Sequence, residues 1–351
     1  GTIYYTLDGS DPREVGGAVR GAAFTGAIEL SQPVTVKARV LEAGEWSALT
    51  EAQFSVGTAA SVGNLVVSEI MYQPMGDGLA EFIEVMNIST SNTIDLTGVG
   101  FTDGIDFAFP DNTIIPAGGR LLVVRNIAAF TAVHGSGQPV AGEFANNTAL
   151  SNGGERIVLE DALGGVIQDF AFDDDAPWPS GPNGGGASLV LIAPDRDPDH
   201  SDPTNWRSSM TDGGNPGAGD GTSYSSWAAA NGVTDLNEDL DRDGVGAAFE
   251  YLAGTDPNDG ESGSLPEAVL MTDATGDYLG IEFVRQPGRD DAEVMVQWSP
   301  DLLGWSEGGE GVEFRENVRN PDGTETLRFR SLAPVADQVR QFLGLRLTMR
   351  R

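Results

Sequence analysis

The sequence predicts an all-β protein: a tandem array of β-sandwich modules, interrupted by one short helical segment and closed by a β-rich C-terminal module. Three observations carry that prediction. Apolar runs are short, many alternate with polar residues at period two, and clusters of Gly, Asn and Asp separate them. Glycine (47) and proline (19) are abundant among the 351 residues, which favours turns over long regular elements. Helical patterning is confined to a stretch within residues 218–260.

Composition bounds function before any motif is read. Lys+Arg number 20 against 53 Asp+Glu, a net charge of −33. The absence of cysteine removes disulfide frameworks, thiolate zinc sites and cysteine nucleophiles, and two histidines are too few for a histidine-rich metal centre. Nucleic acid is not an expected partner, because its phosphates need a basic stripe and the arginines of the last forty residues are scattered. No apolar run approaches the roughly 18 residues of a membrane span. Lys37 is the only lysine; such a surface suits salty or calcium-containing surroundings, although genomic composition is the plainer reading. The acid is unevenly spread. Residues 210–267 hold one arginine against twelve acids, bounded by linker-like Asp212-Gly213-Gly214-Asn215-Pro216-Gly217 and Gly260-Glu261-Ser262-Gly263.

Residues 1–57 open inside a strand, Ile3-Tyr4-Tyr5-Thr6-Leu7, followed by the turn-forming Asp8-Gly9-Ser10-Asp11-Pro12. Further on, Val34, Val36, Ala38 and Val40 alternate with Thr35, Lys37 and Arg39, the pattern of a half-buried strand. Tyr4, Tyr5 and Trp46 suit either a core or a sugar ring, with core the usual role of strand aromatics. The run from Ile3 to Pro12, with Val36-Lys37-Ala38-Arg39, Trp46-Ser47 and Phe54, resembles the chitobiase/β-hexosaminidase C-terminal domain. That resemblance implies a small immunoglobulin-like β-sandwich appended to secreted enzymes. Its first strands normally precede this run, so a truncated copy, cut from a longer protein, is expected.

Residues 64–209 carry short apolar runs within Leu65–Pro74, Glu81–Asn87, Ile94–Gly98, Phe101–Gly104, Phe107–Pro110, the strand Arg120–Val124 and Leu150–Leu159, separated by Gly, Asn and Asp turns, which argues for a β-sandwich. The ordered landmarks Leu65-Val66-Val67-Ser68-Glu69-Ile70-Met71-Tyr72, Glu81-Phe82-Ile83-Glu84, Ile94-Asp95-Leu96, Phe101-Thr102-Asp103-Gly104, Trp178-Pro179, Ala187-Ser188-Leu189 and Asn205-Trp206 resemble the bacterial lamin-tail domain. The resemblance implies an immunoglobulin-type fold used in adhesion, docking, or nucleic-acid and surface association, with no conserved catalytic set. Residues 267–351 form a β-rich module with strands expected at Tyr278–Val284, Glu293–Trp298, Thr326–Arg330 and Phe342–Leu347. Trp298-Ser299-Pro300-Asp301-Leu302 and Trp305 resemble C-terminal modules of large secreted bacterial proteins.

The stretch 218–260 holds the one motif that carries chemistry. Asp239-Leu240-Asp241-Arg242-Asp243-Gly244-Val245-Gly246-Ala247-Ala248-Phe249-Glu250 has the spacing D-x-D-x-D-G-x₅-E of a Ca2+ loop. Alternate carboxylates turn inward, Gly244 permits the bend, Val245 offers its carbonyl, and Glu250, early on the next helix, closes the shell with two oxygens. Ala247 occupies the ninth position without a side-chain oxygen, so water takes that place and the site is weakened. Helices are expected over Ser225–Asn231 and Ala247–Ala253, stopped by Gly232 and Gly254. The first ends well before Asp239, unlike an EF-hand. With Gly254-Thr255-Asp256-Pro257, the segment resembles dockerin-like or thrombospondin type 3-like calcium segments, in which Asp256 adds a ligand from the far side; Asp235 and Asn237 are lesser candidates. The competing reading is a plain acidic linker.

Other clusters read as structural. Asp173-Asp174-Asp175 before Trp178 is a solvated loop or a second cation site, Asp195 to Asp202 around His200 a charged turn, and His134 a lone loop histidine without a G-x-S-x-G elbow. The expectation is a non-catalytic, calcium-stabilised C-terminal module array of a secreted or cell-surface bacterial protein, acting in adhesion, docking or positioning of an upstream domain of the same chain. The alternative is a carbohydrate-binding accessory region of a secreted polysaccharide hydrolase or CotH-kinase-like enzyme, whose partner is a polysaccharide or cell-surface ligand.

Overall fold

The computed structural model describes residues 1–30, 34–54, 57–306, 310–338 and 340–350. The fold is all-β, with sheets in three successive regions and three short helices. In the first region, β1 (Thr2–Thr6), β2 (Ala22–Ala23), β3 (Val34–Glu42), β4 (Glu45–Trp46) and β5 (Thr50–Phe54) form one sheet in which β3 pairs with β1, β4 and β5. The turn after β1 is made as its residues dictate: Asp8 Oδ1 accepts the Ser10 amide at 3.0 Å and Gly9 has φ +74°. Arg39 on β3 then clamps Asp11 through Nε and Nη2, both at 2.8 Å. Trp46 packs on Tyr4 at 5.7 Å and donates Nε1–H to the Gly17 carbonyl, so these aromatics serve packing.

The second region runs from β6 (Thr58–Ala59) through β7 (Leu65–Met71), β8 (Phe82–Asn87), β9 (Ile94–Asp95), β10 (Gly100–Asp103), β11 (Phe107–Ala108), β12 (Ile114–Ile115), β13 (Arg120–Val124), β14 (Val140–Glu143), β15 (Glu155–Glu160), β16 (Val166–Phe172) and β17 (Leu189–Leu191) to β18 (Trp206–Ser208). A six-stranded sheet, β14-β13-β8-β7-β17-β18, and a four-stranded one, β11-β10-β15-β16, enclose a core that includes Val67, Ile83, Val85, Val123, Phe101, Ile157, Leu159, Phe170 and Trp206. The six-stranded sheet is buried on its second face too. There a helix absent from the expectations, α1 (Ile127–His134), starts at an Asn126 side-chain cap and lays Phe130 on Phe82, Leu122 and Val124. His134 ends this helix and packs on Phe130 at 4.5 Å. His200, expected in a charged turn, is buried: it stacks near Phe170 and Trp206 and hydrogen-bonds the Val67 carbonyl at 3.1 Å.

Two acids share that second face. Glu69 and Glu84 are cross-strand partners on β7 and β8, and both are buried. Glu84 accepts Arg120 Nη1 and Ser68 Oγ at 2.7 Å each, and the Gly217 amide at 2.6 Å; Glu69 accepts Ser188 Oγ at 2.5 Å and the Asn215 amide at 3.1 Å. The Gly-rich stretch expected as a linker is therefore stitched to the sheet.

The third region comprises α2 (Tyr224–Asn231), α3 (Ala247–Ala253), β19 (Glu267–Asp273), β20 (Gly276–Arg285), β21 (Ala292–Ser299), β22 (Val312–Arg319), β23 (Glu325–Ser331) and β24 (Phe342–Met349). The sheets are β19-β20-β23-β22 and β21-β24. Trp227, Ala228, Val233, Ala247, Tyr251 and Leu252 from the helical segment share one core with Ile281, Phe283, Val296 and Leu327. Helices and strands thus fold as one body around that core. The second and third regions meet through polar pairs: Ser208 donates its amide to Glu325 at 2.7 Å, Arg319 donates its amide to Ser180 Oγ at 2.9 Å, and Arg285, paired with Glu325 inside the third region, donates Nη2–H to the Trp206 carbonyl at 3.4 Å.

Burial, and then the charge of Glu84, push the Glu69 carboxyl up to about 8. A raised folded value means the folded chain holds a proton the unfolded one has lost. Its contribution to stability is complete below the ordinary value near 4.5 and disappears as pH rises through about 8. Glu69→Gln, which keeps the neutral form at every pH, is expected to flatten that component of the decline in Tm between pH 5 and pH 9. Thermal melts of both proteins at fixed calcium check this; equal slopes would refute it.

Candidate metal centre

The acidic loop folds as its spacing requires. Each aspartate spends oxygen on nearby amides: Asp239 accepts Arg242 N–H at 2.7 Å and Gly244 N–H at 3.1 Å, Asp241 accepts Asp243 N–H at 3.2 Å, and Asp243 accepts Val245 N–H at 2.7 Å. Positive φ values at Arg242 (+69°) and Gly244 (+93°) make the reversal that only a few residue types enter without strain. The loop is tied shut at its base, where Ala247 and Ala248 donate their amides to the carbonyls of Glu238 and Leu236 at 2.8 and 2.9 Å. The result is convergence: one carboxylate oxygen from each of Asp239, Asp241 and Asp243 lies within 4.8 Å of the other two.

Glu250, on the first turn of α3, lies within reach of the charges of this cluster. It is fully buried, and neither carboxylate oxygen has a hydrogen-bond partner among the described residues. Burial, followed by the charges of Asp241, Asp243, Asp239 and Asp256, pushes its carboxyl up to about 7. Asp241 Oδ2 and Thr255 Oγ1 are likewise buried without partners. A buried carboxylate left without proton, donor or counter-ion costs several kcal/mol, and four further acids around it raise that cost. A hard divalent cation fits this donor set. It accepts many oxygens, needs no nitrogen or sulfur, and removes the repulsion that the protein alone leaves standing.

Asp239, Asp241 and Asp243 are therefore brought together, while Glu250 stands outside that close group, near enough for their charges to act on its carboxyl. Val245 follows the bend and is buried; its carbonyl is the backbone oxygen that the spacing assigns. Asp256 is more exposed, its charge felt at Glu250 while its Oδ1 accepts the Asn258 amide at 3.0 Å. Asp235 is engaged in a turn, accepting Asn237 N–H at 2.8 Å. Ala247, the apparent defect at the ninth position, is completely buried in the third region's core. A polar ligand there would be lost to packing.

Thr255 and the closing segment escaped the sequence reading. Gly260 and Gly263 lie against Asp241 and Asp243, and a Cβ on Gly263 would stand 2.0 Å from Asp243 Oδ2. The adjacency of Thr255 to Asp256 is a signal that could have found the first; a chain return over the loop has no local signature. Asp173, Asp174 and Asp175 also place oxygens within 4.8 Å of one another, but they lie in a largely solvated loop, and Asp174 is occupied by Asn183 Nδ2 at 3.0 Å. Trp178 turns away to pack on Trp206 at 6.1 Å.

Glu250→Gln separates repulsion from ligation. In chelator the amide removes a charge from among four acids, so Tm is expected to rise above the parent's; in millimolar calcium the order is expected to invert. Gly263→Ala is expected to weaken cation binding roughly tenfold or more by displacing Asp243, measured by calorimetric titration, with an unchanged affinity counting against the assigned geometry.

Comparison with known families places two matches on this chain. The family model described as Lamin Tail Domain matches residues 58–174, and that described as Fn3 associated matches residues 1–54. No curated protein and no solved structure matches. The chain is thus all-β, similar over residues 58–174 to the immunoglobulin-like Lamin Tail Domain family and over residues 1–54 to the Fn3 associated family, and neither match reaches the acidic loop.

Proposed function

We propose that this chain is a non-catalytic, calcium-stabilised module array of a secreted or cell-surface protein, serving adhesion, docking or the positioning of an upstream domain. The fully buried Glu250, without a partner for either oxygen among the described residues and acted on by the charges of the converging Asp239, Asp241 and Asp243, is the observation that supports the calcium part. The Lamin Tail Domain and Fn3 associated matches support the non-catalytic part, since immunoglobulin-like modules of this kind typically scaffold rather than catalyse. Among the described residues no helix is long and apolar enough to cross a membrane. In this reading Asp239, Asp241, Asp243, Glu250, the Val245 carbonyl and Asp256 hold Ca2+, with Thr255 as a neighbouring oxygen. The segment functions as a dockerin-like or thrombospondin type 3-like element, and an affinity on the order of 10⁻⁴ to 10⁻³ M suffices where calcium is abundant outside cells.

The test is thermal unfolding of the chain in calcium and in chelator. Calcium at about a hundredfold over its dissociation constant contributes about 2.7 kcal/mol, a rise in Tm on the order of 5–10 °C for a domain of this size. Asp243→Ala is expected to abolish the rise. A parent protein that melts identically in both conditions would overturn the assignment.

A further inference from the structure

Resting on the calcium reading above, we propose that the cation at the acidic loop locks the third region onto the lamin-tail region, with helix α3 as the transmitting element. Glu250 and Tyr251 are consecutive on α3, so their side chains diverge by about 100° around the helix. Glu250 lies within the field of the aspartates, buried and with neither oxygen partnered among the described residues. Tyr251 points to a different side of the helix, buried, with its ring 5.3 Å from Tyr224, 5.4 Å from Trp227 and 4.7 Å beneath the Arg289 guanidinium. Its hydroxyl lies against the Thr222 carbonyl and the Asp291 carboxylate. The next residue, Leu252, accepts the Gln286 amide at 2.7 Å.

One side of α3 thus grips the chain turn from Gln286 to Asp291, between β20 and β21. The far side of that turn holds the lamin-tail region. Asp290 takes Arg207 as a fork, Nε at 2.6 Å and Nη2 at 2.8 Å. Arg207 lies on β18, the edge strand of the six-stranded sheet, is 1% exposed, and is held from its other side by Asp220 Oδ2 at 2.8 Å and by the Asp220 carbonyl. The chain of contacts is short: cation loop, Glu250, Tyr251, the turn 286–291, Arg207, sheet.

Without a counter-ion, five carboxylates oppose the packing of the first turn of α3. That helix has seven residues, too few to persist by its own hydrogen bonds. Its displacement withdraws Tyr251 from Asp291 and unseats the neighbouring Asp290. Cation occupancy and module docking are then linked equilibria, and the linkage is reciprocal: a docked junction holds α3 in its ligating position and raises cation affinity.

The chain has no cysteine, so two introduced cysteines are unique labelling sites. Leu163→Cys in the lamin-tail region and Leu303→Cys in the third region, 96% and 89% exposed, carry spin labels for a distance measurement on the full chain. A single narrow distance in calcium and a broad distribution in chelator are expected. Arg207→Met, and separately Asp290→Asn should Arg207→Met not fold, is expected to lower calcium affinity by at least fivefold, the low end of typical coupling, although neither residue belongs to the acidic loop. Conversely, calcium affinity seen by calorimetry in the parent, together with unchanged distances in chelator and parental affinity in the variants, would overturn the lock and leave the metal site standing. Absence of calcium binding in the parent would overturn both.

Discussion

A buried carboxyl whose two oxygens find no partner among the described residues sits beside the acidic loop. Glu250 is completely enclosed, yet its oxygens meet no donor among the described residues, and the nearest charges are of its own sign. Other buried acids among the described residues each have a partnered oxygen: Glu84 meets Arg120, Ser68 and an amide, Glu325 meets Arg285 and an amide, and even Asp95, with Oδ2 unpartnered, accepts Thr97 through Oδ1. The contrast identifies Glu250 as the group whose requirement comes from outside the chain. Because the same short helix also supplies Tyr251 and Leu252 to the third region's core, meeting that requirement bears on a whole module and not only on a surface loop.

The charge imbalance has a structural counterpart in the choice of cation. With 19 arginines and one lysine, the chain uses guanidinium groups as two-pronged braces that a lysine ammonium cannot replace. Arg39 forks onto Asp11 within the first sheet, Arg156 onto Asp169 across β15 and β16, and Arg207 onto Asp290 between regions. Arg328 bridges Glu282 and Glu316 on the two strands beside its own, and Arg330 joins Glu313 on neighbouring β22 to Asp273 on β19, two strands away. The exposed pairs among these contribute little to stability. Their geometric value is larger, since each ties strands or modules at one register.

Local signals were legible in the sequence and returns of the chain were not. The strand at Val34–Glu42, the stops at Gly232 and Gly254, and the acidic loop from Asp239 to Glu250 are each written in consecutive residues, and the structure forms them. Four of the third region's strands were visible from apolar runs. The two that were missed, β19 and β22, have reasons: β19 lies at a sheet edge with Leu270 exposed, and β22 reads Val-Glu-Phe-Arg-Glu-Asn-Val-Arg, more charged than apolar. Helix α1 was hidden because its eight residues are apolar almost throughout and show no amphipathic period. His200 sits among four aspartates in sequence, and only the fold reveals that its ring is turned inward onto Phe170. Thr255, Gly263 and Arg207 belong to the same class, their roles fixed by residues many positions away.

That the junction is polar follows from what it must do. An apolar interface would bind the modules more tightly, because burying a charged pair seldom gains more than it loses in hydration. It would also tolerate sliding, since hydrophobic contact is not directional. The fork of Arg207 on Asp290, with Asp220 behind it and Glu325 beside it accepting both Arg285 and the Ser208 amide, satisfies its donors in one relative placement of the two regions. Removing Arg207 leaves Asp290 and Asp220 without their shared cation, and removing Glu325 leaves Arg285 without its carboxylate. The cost of departure is therefore steep and the gain from docking modest, which makes the junction easy to hold when α3 is in place and unfavourable to keep when it is not.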